Sequence, residues 1–191
     1  YTQYVLNDIN LLSWMGFFSM GCILVGVLLV PLTVKCFGKK QVYLAGMVLW
    51  AVGDILNYFW GSNSFTFVMF SCVAFFGTAF VNSLNWALVS DTVEYGEWRS
   101  GVRSDGIVFS SSSFSMKVAM GVSSAAIAWI LGASGYDGSL AVRSDATVSA
   151  MVNTFVWVPV AMVVVMAALL FFYDLDKRVD RVGGELAARR V

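Results

Sequence analysis

Five stretches of this chain are long and apolar enough to cross a bilayer, and this decides the fold class before any single residue is weighed. They fall at about 12–34, 42–61, 65–89, 107–131 and 151–173. A spanning helix needs roughly 20 apolar residues, because each adds ~1.5 Å across a hydrocarbon core about 30 Å thick. Inside that core every backbone N–H and C=O must be satisfied within the segment, which makes segments of this length helical. Polar connections separate the five: KCFGKKQ at 35–41, GSNS at 61–64, EYGEWRSGVRSD at 94–105 and SGYDGSLAVRSDATVS at 134–149. A polar tail follows from residue 174. The expectation is an all-α membrane protein.

Composition narrows the function classes. Of 191 residues, 59% are hydrophobic and 13% charged, where a soluble domain has about 45–50% and about 25%. Lys+Arg and Asp+Glu both number 12, so no charge excess points to nucleic acid or to a membrane surface. The chain has no histidine, and Cys22, Cys36 and Cys72 form no CxxC pair. That argues against a zinc site, a disulfide framework and a His-based catalytic triad. The cysteines read as small packing residues within the membrane. The chain opens on Tyr1 rather than Met, at YTQYVLNDINLL, which reads as the end of one helix running into a loop. The expectation is that an N-terminal portion is missing.

Basic residues orient the spans. Lys35, Lys39 and Lys40 lie in the first connection, Arg99 and Arg103 in the third, and Lys177, Arg178, Arg181, Arg189 and Arg190 in the tail. These regions alternate onto one side, against Arg143 alone on the other. The positive-inside rule then makes the C-terminus cytoplasmic, with the N-terminus and the 61–64 and 134–149 loops outward.

Lys117 belongs to neither side. It lies about ten residues into the fourth span, roughly 15 Å deep, where an ionisable residue defaults to a functional hypothesis. Arg103, Gly106, Ser110, Ser113, Lys117, Gly121 and Ser124 follow steps of three or four and share one helical face. The result is a hydroxyl-bearing stripe with a cation in it, suited to lining a water-filled path. Small residues also pack helix against helix in membranes. That reading stays open, above all for Ser111 and Ser115, which lie off the stripe.

The third span carries Thr78, Asn82 and Asn85 on one face, with Trp86 beside them. Amides and an indole suit a sugar, through hydrogen bonds to hydroxyls and stacking on its C–H face; they equally suit plain interhelical hydrogen bonding. At the cytoplasmic end of this span Asp91 and Glu94 stand at i and i+3, with Arg103 across the loop. Ion pairs among them would latch a cytoplasmic gate, or form an ordinary interfacial charge cluster. Asp54, in the second span, is a further buried acid candidate. It sits seven residues from the outer loop, near enough to reach water.

These residues also carry a family likeness. DTVEYGEWRSGVRSDG (91–106), followed by FSSSSFSMK ending at Lys117, resembles the signature of the glycoside–pentoside–hexuronide:cation symporters. There D-x-V-[DE]-Y-G-E precedes G-x-R-x-[DE]-G and a serine- and aromatic-bearing helix with a lysine. Asp91, Val93, Glu94, Tyr95, Gly96, Glu97, Gly101, Arg103, Asp105, Gly106 and Lys117 all fall in place. PLTVKCFGKK (31–40) is similar to a degenerate form of the basic loop between helices 8 and 9 of these transporters.

The resemblance covers the whole chain and implies a major facilitator fold, built from two six-helix halves. Residues 1–191 would be the C-terminal half, with the end of helix 7, helices 8–12 and a cytoplasmic tail at 174–191. It further implies a cation-coupled symporter importing a glycoside or related sugar by alternating access across a bacterial inner membrane. Its implied partners are the sugar, the bilayer and the N-terminal half of the same transporter, not nucleic acid. No cofactor is implied beyond a coupling cation, Na⁺ or H⁺, whose aspartates in this family lie on N-terminal-half helices. Residue by residue, Lys117 matches the helix-11 lysine beside the sugar and cation sites, and Ser112 and Ser113 match polar sugar contacts. Asp91, Glu94 and Arg103, with Tyr95 among them in the motif, match the cluster that closes the cytoplasmic side. Melibiose carriers place a tryptophan where Asn82 stands, so here the nearest indole is Trp86. Residues 1–90 are particularly similar to a family member linked to sulfoquinovose, a sulfonated glucose, which makes an anionic sugar one expected substrate.

Three rivals remain in view: a membrane scaffold or assembly subunit, a non-functional truncated half, and an intramembrane hydrolase. The last would use Ser113 with Lys117 as its base. Position 114 is Phe, so no S-x-x-K motif exists, and nothing in the sequence marks an oxyanion hole.

Overall fold

A computed structural model describes residues 10–61, 63–135 and 145–172, together with Val182 and Glu185. Five helices follow in order: α1 (Asn10–Phe37), α2 (Lys39–Trp60), α3 (Ser64–Ser100), α4 (Asp105–Ala133) and α5 (Asp145–Phe171). All five are long and apolar enough to span a membrane, and the described residues form no strand. The all-α expectation holds. The expected end of a preceding helix at 1–9, Arg143, and the basic residues of the tail lie outside the described residues.

The connections are shorter than the polar sequence suggests. The one expected at 35–41 shrinks to Gly38: α1 continues through Lys35 to Phe37, and α2 begins at Lys39. Gly38 takes φ 82 and ψ 159, a positive-φ conformation open to a residue without a Cβ. The expected loop at 94–105 is helix as far as Ser100, so α3 runs for 37 residues. At ~1.5 Å per residue its length is about 55 Å, well beyond a core about 30 Å thick. Its last turns therefore project past the apolar span. The stop comes at Gly101, whose φ is 72 and whose N–H donates to the Glu97 carbonyl at 2.8 Å, a left-handed helix cap. Likewise α5 starts at Asp145, inside the expected 134–149 loop.

The core is the contact of α2 with α3, flanked by α1 against α3 and α5 against α2. Small residues bring the two central backbones together. A Cβ on Gly77 would lie 2.5 Å from the Gly46 carbonyl oxygen and 2.5 Å from the Trp50 nitrogen, and one on Gly53 would lie 2.6 Å from the Ala74 nitrogen. In lipid no hydrophobic effect drives helices together, so such close approach is a main source of their adhesion. Val42, Tyr43, Met47, Phe80, Val81 and Leu84 fill in around this seam, with Val163 and Leu170 of α5. Cys22 and Cys72 are partly buried and fit the packing reading, whereas Cys36 is exposed.

Helix α4 differs from its neighbours. It has no buried residue and touches α3 and α5 only lightly. Its apolar and polar faces alike lie on the outside of this bundle.

Candidate functional site

The polar stripe of the fourth span survives in the structure, with one change at its start. Helix α4 begins at Asp105, so Arg103 precedes it and is not part of the helical face. Ser110, Ser113, Lys117, Gly121 and Ser124 are all exposed on α4. Hydrogen bonding sorts the serine run. Ser111 donates to the Ile107 carbonyl at 2.7 Å and Ser112 to the Val108 carbonyl at 2.9 Å, a common fate of hydroxyls in apolar helices. Ser110, Ser113 and Lys117 have no hydrogen-bond or ionic partner among the described residues. Two hydroxyls and an ammonium group are thus presented outward, while Ser112 keeps only its oxygen lone pairs available.

The adjoining wall comes from α3. Its Val81 and Leu84 face the core, which turns Asn82, Asn85 and Trp86 to the exposed side. Neither asparagine has a hydrogen-bond partner among the described residues, so the interhelical bonding that was the alternative for them is absent within this bundle. Thr78, by contrast, donates to the Ala74 carbonyl at 2.9 Å. The Trp86 indole stacks on Phe109 of α4, with ring centroids 6.2 Å apart and planes at 19°. Phe109 was not singled out in the sequence, although an aromatic opening a serine run was the available signal. Together the ring pair offers a flat apolar surface, the amides and hydroxyls offer donors and acceptors, and Lys117 offers a positive charge. Such a set can hold a polyhydroxylated ligand and complement an anionic group on it.

The charged cluster is arranged differently from the expected pairing of Asp91 and Glu94 with Arg103. Asp91 is buried and pairs with Lys39 at the start of α2, whose Nζ lies 2.6 and 2.7 Å from the two carboxylate oxygens. Arg103 pairs instead with Asp105 at 2.6 Å and Glu97 at 3.2 Å. Asp105, through its hydrogen bond, and then Glu97 raise the Arg103 pKa above its ordinary value. The physical reason is the helical extension of α3, which puts about 14 Å of helix between Asp91 and the helix end. Glu94 has no ionic partner among the described residues. Tyr95 packs on Trp98 with centroids 5.8 Å apart, and the Trp98 indole N–H donates to Glu185 at 2.7 Å. A tail residue therefore docks on the end of α3.

Asp54 is almost fully buried, although its position lies near the outer loop. Its exposure is 7%, and it lines a cavity at the bundle end opposite the Lys39–Asp91 pair. Among the described residues no group of three His, Cys, Asp or Glu side chains is placed to hold a metal ion.

Residues 1–177 match the family described as MFS/sugar transport protein. The chain is 66% identical over 180 residues to a protein of Escherichia coli (strain K12) named "Putative sulfoquinovose importer", an alignment covering 93% of this chain and 38% of that protein. It is 52% identical over 192 residues to a Salmonella typhimurium (strain LT2) protein named "Putative 2,3-dihydroxypropane-1-sulfonate exporter", covering 100% of this chain and 42% of the other. It is 38% identical over 182 residues to the "Isoprimeverose transporter" of Lactiplantibacillus pentosus, covering 92% and 36% respectively. The chain thus spans about two-fifths of the length of these curated relatives.

Proposed function

The chain belongs to the MFS/sugar transport protein family, of the glycoside–pentoside–hexuronide type, and from that membership we propose that it forms the C-terminal half of a secondary active sugar transporter. The transporter imports a glycoside or related sugar by alternating access, driven by Na⁺ or H⁺, across a bacterial inner membrane with the C-terminus cytoplasmic. The observation that carries this reading is the exposed stripe of Ser110, Ser113 and Lys117 on a helix without a buried residue. Facing lipid, each unsatisfied polar group costs several kcal/mol. The stripe makes physical sense as one wall of a polar path whose other wall is the N-terminal half, since sites of this fold lie at the interface of the repeats. Asn82, Asn85 and the Trp86–Phe109 pair extend that wall.

Two of the relatives carry sulfonated compounds in their names, and Lys117 supplies a cation on the same exposed helix as the Ser110 and Ser113 hydroxyls. This supports sulfoquinovose as the first substrate to test. In energised vesicles, uptake of labelled sulfoquinovose is expected to be inhibited by excess unlabelled sulfoquinovose and not by equal glucose. Equal inhibition by glucose would remove the sulfonate from the reading.

The pairs Lys39–Asp91 and Arg103–Glu97–Asp105 are proposed to hold the cytoplasmic side closed in the outward-facing state. Lys39→Ala leaves Asp91 buried without its partner, a change that costs about 3–5 kcal/mol for a fully buried pair and less here, because Lys39 is 28% exposed. It is expected to open that side and raise thiol labelling of Tyr95→Cys in a background lacking the native cysteines. Arg103→Ala is expected to have the smaller effect, because exposed pairs contribute little. Unchanged labelling with intact transport in both variants would reduce the cluster to an interfacial charge patch.

A further inference from the structure

The carboxyl of Asp54 sits where a charge is hardest to keep. It is 7% exposed, within an apolar helix. No lysine or arginine pairs with it among the described residues. An isolated carboxylate inside a membrane protein is costly and is expected to neutralise or to find a cation.

Asp54 is not sealed in packing, however. It lines a cavity of about 440 Å³ to which all five helices contribute. Met15 lies near the start of α1, Ser71 and Thr78 in the first half of α3, Leu131 near the end of α4 and Thr154 near the start of α5. That is the bundle end bearing the 61–64 connection, the outward end in the proposed orientation. The chain of polar groups continues past Ser71, whose hydroxyl accepts a hydrogen bond from Asn57 Nδ2 at 3.1 Å. Asn57 is itself 2% exposed and its Oδ1 is buried without a partner. A buried, unmatched acceptor two hydrogen-bonding groups from the cavity leaves room for one more donor in this cluster.

No other titratable side chain lines the cavity from α1, α3, α4 or α5 among the described residues. On neighbouring faces, Tyr58 packs its ring on Trp157, and Cys22 and Cys72 are half-buried thiols; none of these groups lines the cavity. The lining also argues against a metal cation. Hard cations ask for several oxygen ligands at once, whereas here the Ser71 hydroxyl is engaged by Asn57, Thr78 is bonded to its own helix, and most other lining residues are apolar.

We propose that Asp54 is a proton-binding site within this half of the transporter, loaded and unloaded through the cavity from the outward end of the bundle. The carboxyl carries the proton while the cavity is closed around it and yields it to water when the cavity opens. Binding is a simple acid–base step, O–H to carboxylate plus hydronium, and needs no co-reactant. The inference rests on the transporter reading only for its direction across the membrane; the proton site itself is tested without transport.

The test is infrared difference spectroscopy on the transporter, this chain assembled with its N-terminal half, during a pH titration in lipid. A protonated buried carboxyl shows a C=O stretch distinct from ionised carboxylates. The expected result is a carboxylic band that disappears reversibly as pH rises, is lost in Asp54→Asn, is shifted but retained in Asp54→Glu, and is unmoved by added Na⁺ at constant pH. The absence of a titrating band in the wild type, or its persistence in Asp54→Asn, overturns the proposal. Displacement of the band by Na⁺ overturns it as well, in favour of a metal-cation site. Should Asp54→Asn fail to fold, the wild-type titration and the shift in Asp54→Glu decide alone: a titrating wild-type band that Asp54→Glu leaves unshifted also overturns it. Sugar uptake by the same vesicles separates the two readings, because a titrating band without uptake would overturn the transporter and leave the proton site standing.

Discussion

Lys117→Ala is expected to lower gradient-driven sugar uptake by about 100-fold, the factor that ~3 kcal/mol represents at the upper end for a hydrogen bond to a charged group. The amount of protein in the membrane is expected to stay near wild type. Lys117 has no partner among the described residues, so its removal orphans no neighbouring group. It also relieves an insertion cost of about 2.5–3.5 kcal/mol for a central lysine. Lys117→Arg keeps the charge with a different donor geometry, and intermediate uptake is expected. The scaffold reading forecasts the opposite for Lys117→Ala, a protein whose role persists. Uptake in Lys117→Ala within about twofold of wild type, a change below ~0.5 kcal/mol, would remove Lys117 from the path.

Much of this was legible because membrane physics is strict. Apolar length alone located five helices, and helical steps of three and four placed Ser110, Ser113 and Lys117 on one face, where the structure leaves them exposed together. What escaped was set by helix ends and by partners far apart in sequence. Residues 94–100 looked like loop because they are polar, yet polarity does not stop a helix; the left-handed glycine at 101 does. Once α3 is extended, Asp91 and Arg103 are carried apart and Asp91 meets Lys39, 52 residues away. Phe109 joined the site only through its stacking on Trp86, which no local pattern specifies. Asp54 was visible as a residue, but its cavity is assembled from all five helices, and no sequence spacing encodes such a convergence.

The second large effect concerns what this chain does without its partner half. Gly46, Gly53 and Gly77 fasten α2 to α3 at backbone contact distance, so the core of this half is self-contained. Helix α4 is not fastened in that way: it has no buried residue and only light contacts with α3 and α5. In the proposed transporter Ser110, Ser113 and Lys117 would line a hydrated path against the N-terminal half; without that half they would face lipid, at several kcal/mol per unsatisfied group. The chain by itself is expected to self-associate or aggregate and to transport nothing. The direct measurement is reconstitution of the purified chain in liposomes under a sodium or proton gradient, with and without a co-expressed N-terminal half. Gradient-driven uptake of labelled sulfoquinovose only when both halves are present is the expected result, and uptake by this chain alone would contradict it.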